Sequence, residues 1–122
     1  MPKKVLVVED DPDARGLIES ILKLAGLTVV LAADGQEGLE RAQAEAPDLI
    51  ITDIAMPRLN GLGLIRELRG LPDFKNMPIL AVTSHGMEKA MEAIKAGANR
   101  ALARPVHNHL LLVFVLDLLS LR

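Results

Sequence analysis

Residues 4–12 read KVLVVEDDP. The first five, Lys4–Val8, are Val-rich and, after Lys4, continuously apolar, the kind of run that makes a strand covered on both faces. Three acids follow, Glu9-Asp10-Asp11. Asp11-Pro12 then reads as a helix start, with a carboxylate to cap the free N–H groups and a proline at the first helical position. A two-faced strand running straight into a helix is the unit of a parallel sheet, because parallel neighbours need a crossover between them.

The same unit recurs along the chain. Leu17, Ile18, Ile21, Leu22 and Ala25 share one face of the first helix, and Gly26 ends it. Residues 28–31 form a second strand. Asp34 and Glu37 have capping-box spacing, and Leu39, Ala42 and Ala46 give the next helix a thin apolar stripe, stopped by Pro47. Residues 49–52 form the third strand. Asn60-Gly61 precedes a helix with Leu64, Ile65 and Leu68 inward, and the loop LPDFKNMP follows. Residues 79–82 form the fourth strand. The helix over 87–96 has Met87 and Met91 as expected core contacts and Gly97 as its stop. Residues 101–103 form a short fifth strand, and 106–121 the last helix. Strand then helix, five times, predicts an α/β fold: a doubly wound five-stranded parallel sheet in a single domain over 1–122.

Bulk properties narrow the function. The chain has 122 residues, half of them apolar, and sixteen acids against fourteen bases leave a net charge of −2. That balance gives no reason to expect nucleic acid. With no cysteine, disulfides and thiolate metal sites are excluded. The N-terminus does not read as a signal peptide, and the apolar tail LLLVFVL is too short to span a bilayer. A cytoplasmic protein is expected. His107 and His109 fall on different helix faces and do not make a zinc site with His85.

In such a sheet, ligands bind beyond the carboxyl ends of the strands, where the strand order reverses. Glu9-Asp10-Asp11 follows the first strand and Asp53 the third. Thr83-Ser84 follows the fourth and Arg104-Pro105 the fifth. Asp11 is accounted for as a cap. The remaining acids would crowd one rim, and two unit charges at about 4 Å interact at roughly 4 kcal/mol for an effective dielectric near 20. A hard divalent cation relieves that crowding, and Mg²⁺ needs only one or two carboxylates, waters and a phosphate oxygen. Asp10 and Asp53 are the natural pair, with Arg104 as a fixed second cation. A carboxylate in that setting can act as a nucleophile toward phosphorus, already ionised at neutral pH.

VLVVEDDP, DLIITDIAMPRLNG, PILAVTS and the Arg-Pro after the fifth strand together resemble the receiver domain of bacterial two-component response regulators. The resemblance covers nearly the whole chain in order. It implies a flavodoxin-like (βα)5 fold with strand order 2-1-3-4-5. It also implies that Asp53 takes a phosphoryl group from a histidine kinase or phosphotransfer protein. Glu9, Asp10, Asp53 and the carbonyl of Ala55 would hold Mg²⁺, Glu9 through water. Thr83 would be the switch hydroxyl and Arg104 the phosphoryl-facing cation. Met56-Pro57 and Gly61 would shape the loop after Asp53, and the bond before Pro105 would be cis. A phosphoacceptor of this kind is not an enzyme, although it can catalyse its own phosphorylation and dephosphorylation.

The chain departs from the family at several positions. Arg104 stands where Lys is usual, and the two are not interchangeable. Ala101 stands where an aromatic is usual, so Thr83 has no aromatic switch partner there. The loop after Thr83 runs about one residue short, judged by the spacing from Thr83 to Gly97, and Ala55 and His85 occupy the positions that tune phosphoryl loss. The last helix is apolar nearly all round, with Asp117 its one charge between 110 and 119. These departures support an alternative: a phosphorylation-independent interaction or dimerisation module acting through the last helix. An aspartyl phosphatase is disfavoured, because Ala55 cannot be the general acid. Nucleotide binding is disfavoured because no Gly-rich loop follows the first strand.

Overall fold

The structure, a computed structural model, describes residues 2–56, 58–84, 86–104 and 107–120. Five parallel strands are β1 (Lys4–Val8), β2 (Thr28–Ala32), β3 (Leu49–Asp53), β4 (Ile79–Thr83) and β5 (Arg100–Ala103). They lie in the order β2-β1-β3-β4-β5, as the resemblance implies. Among the described residues the helices are α1 (Pro12–Leu24), α2 (Gly35–Glu45), α3 (Gly61–Arg69), α4 (Gly86–Ala96) and α5 (Asn108–Leu119), with a 3-10 turn at Pro72–Phe74.

The period of two along each strand divides the core. Val5, Val7, Leu49, Ile51, Leu80 and Val82 pack with Ile18, Ile21 and Leu22 of α1 and with Leu111, Val115 and Leu118 of α5. Leu6, Val8, Ile50, Ile79 and Ala81 pack on the other side against α2, α3 and α4 through Ala42, Leu64, Ile65, Leu68 and Ala93. Both strand faces are covered, which is why the strands read as continuous apolar runs.

The helix starts follow local chemistry. Asp11 accepts from the Ala14 N–H at 2.9 Å, Asp34 from Glu37 N–H at 2.8 Å and Asn60 from Gly63 N–H at 2.9 Å. The Glu37 side chain reaches back past the cap to the Ala33 N–H, so the expected capping box has its reciprocal bond shifted by one residue. After α1, Gly26 takes φ +85°, and Leu27 N–H donates to the Leu22 carbonyl at 3.1 Å, a Schellman end.

Several expectations need correcting. Met87 and Met91 are not core: they are 75% and 55% exposed. Helix α4 presents only Ala93 fully to the core, because small residues let it sit close to the sheet while the long methionines project outward. Leu17, Ala25 and Ala46 are also exposed. The stripe on α1 is the narrower Ile18-Ile21-Leu22 set, and Ala46 lies beyond the end of α2 in a left-handed cap at φ 46°. Strands β2, β3, β4 and β5 and helix α4 each run one residue further than the sequence indicates, and α5 starts at Asn108 and ends at Leu119. The expectations that rest on Pro57, His85 and Pro105 lie outside the described residues. No described helix is long and apolar enough to cross a membrane.

Candidate functional site

Strand order reverses between β1 and β3, so the ends of those neighbouring strands flank the cleft. Register pairs Val8 with Thr52, which sets Glu9 and Asp10 beside Asp53. Glu9, Asp10 and Asp53 each offer a carboxylate oxygen, and these atoms all lie within 4.8 Å of one another. Asp10 is exposed, Asp53 half-buried and Glu9 only 2% exposed.

Backbone N–H groups hold two of the three acids, Asp53 and Glu9. Asp53 Oδ1 accepts from the Ile54 N–H at 2.8 Å. Thr52 Oγ1 donates to the Asp53 carbonyl at 2.8 Å. Gly61 N–H donates to the Ile54 carbonyl at 2.8 Å, bringing the start of α3 back onto the end of β3. A Cβ at Gly61 would lie 2.0 Å from the Asp53 carbonyl oxygen, so this close approach requires glycine. Glu9 Oε2 accepts from Asp11 N–H at 3.1 Å.

Burial pushes the Glu9 carboxyl up to about 7, with Asp53 and Asp10 adding to the rise while the Asp11 N–H and Arg104 oppose it. A buried carboxylate beside two others is the electrostatic crowding that a cation relieves. The donor set is all oxygen, suited to a hard divalent ion such as Mg²⁺, so the residues present fit a metal of that class.

The cationic side of the site differs from expectation in its partner. Arg104 extends from the end of β5, where its N–H donates to the Thr83 carbonyl at 2.8 Å. Its guanidinium donates from Nη2 to Glu9 Oε1. Arg104 thus pairs with a buried acid of the site itself. Thr83 is fully buried at the end of β4, paired in register with Ala103. Ala55 is exposed in the loop after β3. Ala101 is half-buried, and beside it lies a shallow depression of about 280 Å³ lined by Met87, Met91, Ile94 and Phe114.

One contributor is absent from the sequence reading. Arg15 Nη1 donates to the Glu9 carbonyl at 2.9 Å. The available signal was a base in the first turn of α1, immediately behind the acid run.

With fold and geometry established, comparison with known proteins is decisive. A family model described as the response regulator receiver domain matches residues 5–115. The chain belongs to the response regulator receiver domain family. As a receiver domain it is a phosphoacceptor signalling module, and its Glu9-Asp10-Asp53 cluster resembles the phosphorylation and magnesium site of such domains. A putative response regulator from Chloroflexus aurantiacus superposes with a TM-score of 0.95 at 33% identity, covering 98% of this chain and 99% of that one. The receiver domain of the sensor histidine kinase PA1611 from Pseudomonas aeruginosa has a TM-score of 0.92 at 30% identity, covering 98% and 99%, and carries a magnesium ion in its active site cleft. The Regulator of RpoS from Escherichia coli is 40% identical over 105 residues, which are 85% of this receiver domain but 31% of that protein.

Proposed function

We propose that Asp53 accepts a phosphoryl group from a phosphohistidine on a histidine kinase or phosphotransfer protein, with Mg²⁺ at Glu9, Asp10 and Asp53. The observation that carries this reading is the convergence of those three carboxylates within 4.8 Å. Ile54 N–H occupies Asp53 Oδ1 and orients the carboxylate, leaving Oδ2 as the attacking oxygen. As Oδ2 bonds to phosphorus, the P–N bond breaks and its electron pair leaves on the imidazole nitrogen, which takes a proton from solvent. Bound magnesium supplies positive charge to the acids and to the equatorial phosphoryl oxygens. The magnesium ion of the PA1611 receiver domain supports the metal, and the place of that domain in a sensor histidine kinase supports the donor class.

In this scheme Thr83 is the switch hydroxyl, Arg104 a cation available to the phosphoryl group, and the Ala55 carbonyl a further metal ligand. The domain is a phosphoacceptor, not an enzyme with a separate substrate, and it works in the cytoplasm. Its output is a population shift that changes a partner surface.

The test is intact mass after incubation with Mg²⁺ and a small acyl phosphate. A single phosphoryl adduct on the wild type, lost in Asp53→Asn, is expected. An adduct retained in the variant would assign the acceptor elsewhere.

A second reading is favoured by one observation. Leu110, Val113 and Leu116 of α5 and Met87, Met91 and Ile94 of α4 are exposed large apolar side chains. An apolar face of this kind fits a second copy of the chain or another partner without any phosphorylation. No adduct in either protein, together with concentration-dependent association, would favour this reading over the first.

A further inference from the structure

We propose that Arg104 is a resident counter-ion that holds Glu9 in the metal-free protein and must release it before a divalent cation binds. The inference rests on the phosphoacceptor reading above and adds a device internal to this chain.

Glu9 is 2% exposed, and both of its carboxylate oxygens are engaged. Oε1 accepts from Arg104 and Oε2 from the Asp11 N–H. A buried carboxylate of this kind cannot stay charged without a partner. Among the described residues, the carboxylate it shares a cluster with belong to Asp10 and Asp53, and both are like charges. Arg104 therefore supplies compensation that water cannot.

The arm links two separate strand ends. Its root is fixed at the end of β5 by the bond from its N–H to the Thr83 carbonyl. Its tip reaches the end of β1, past β4 and β3 in the sheet order. The ion pair thus engages one of the three carboxylates that would hold a metal. A dication and a guanidinium drawn to one carboxylate repel each other strongly at such separations. Arginine cannot relieve that repulsion by losing its proton, so relief has to come from movement of the arm. Metal affinity is then set by the three acids minus the cost of breaking the Arg104–Glu9 pair. An arm released from Glu9 becomes free to meet an incoming phosphoryl group, for which the planar fork is suited.

The experiment is calorimetric titration of Mg²⁺ into the full chain, together with thermal melting with and without Mg²⁺, for wild type, R104Q, E9Q and E9Q/R104Q. R104Q is expected to bind Mg²⁺ roughly tenfold tighter than wild type and to gain more melting temperature from the ion. In the E9Q background the R104Q effect should shrink to about threefold or less, because no pair remains to break. Equal affinity in wild type and R104Q overturns the proposal and leaves the metal site standing. A tenfold gap that persists with E9Q also overturns it, since the guanidinium would then act as a diffuse field. Mg²⁺ binding to none of the four overturns the metal reading and this proposal together. Should R104Q not fold without metal, R104K, which keeps charge but loses the fork, is expected to bind tighter than wild type; parity between those two overturns the proposal.

Discussion

The two ends of the sheet use arginine in opposite ways. At the amino end, Arg69 at the close of α3 donates to the Gly97 carbonyl at 2.8 and 3.0 Å, to the Phe74 carbonyl at 2.7 Å and to Asn99 Oδ1 at 2.9 Å. Asn99 Oδ1 also accepts from Ile79 N–H at 2.9 Å. Every acceptor there is neutral and part of the framework, and burial alone lowers the Arg69 guanidinium from its usual value. At the carboxyl end, Arg104 meets a buried carboxylate that two other acids crowd. The first arginine closes a loop junction by bonding part-buried carbonyls. The second balances charge that the fold itself has concentrated. One end is finished by hydrogen bonds; the other is left with a surplus of negative charge that invites a cation.

The contrast can be broken or sharpened by substitution. The largest effect is expected for Gly61→Ala, whose Cβ would lie 2.0 Å from the Asp53 carbonyl oxygen and 2.7 Å from Ile54 Cα. A loss of about 3–5 kcal/mol in urea unfolding is expected; wild-type stability would mean that the start of α3 is not anchored on β3. Arg69→Ala should cost about 1–3 kcal/mol, because it strips the part-buried Gly97 carbonyl of both guanidinium donors, while the Phe74 carbonyl keeps the Met77 N–H and Asn99 Oδ1 keeps the Ile79 N–H. The folded fraction should still take up phosphoryl from an acyl phosphate. Loss of uptake without loss of stability would erase the distinction between the two ends.

Glu9 supplies a pH test. Its carboxyl is raised from 4.5 to about 7 in the folded protein. Between those values the folded state holds a proton that the unfolded state has lost, so this contribution is full at low pH and disappears as pH rises through 7. Metal-free protein should lose roughly 2 kcal/mol of stability between about pH 5 and about pH 7.5, and Glu9→Gln should flatten that slope. An equal slope in the variant would place the titration elsewhere. The smallest effect on stability, under about 0.5 kcal/mol, is expected for Leu116→Glu on the exposed face of α5. Sedimentation should show it abolishing any self-association. A wild-type chain that stays monomeric at high concentration removes the dimer reading of that face.

The helix starts at Asp11, Asp34 and Asn60 were legible because capping is a contact between residues three apart. The acid cluster was legible because short side chains at strand ends go where the backbone takes them. Arg104 was legible as a cation of the site but not in its partner, since a long arm selects among several acids only once they are assembled. Met87 and Met91 misled because their spacing suits a buried stripe, whereas the sheet needed only Ala93 from that helix. Arg15 escaped notice because its contact with the Glu9 carbonyl depends on how α1 leaves β1.

By itself, the sequence determined the run of strand and helix, the acids at the ends of β1 and β3, and the glycine behind them. These follow from local periodicity and capping chemistry, which act within a few residues. Only the tertiary structure decided that Glu9 is buried, that Arg104 reaches it from the end of β5, and that α4 leaves its methionines uncovered. Burial and long-arm pairing depend on which distant elements become neighbours, and that is settled by packing.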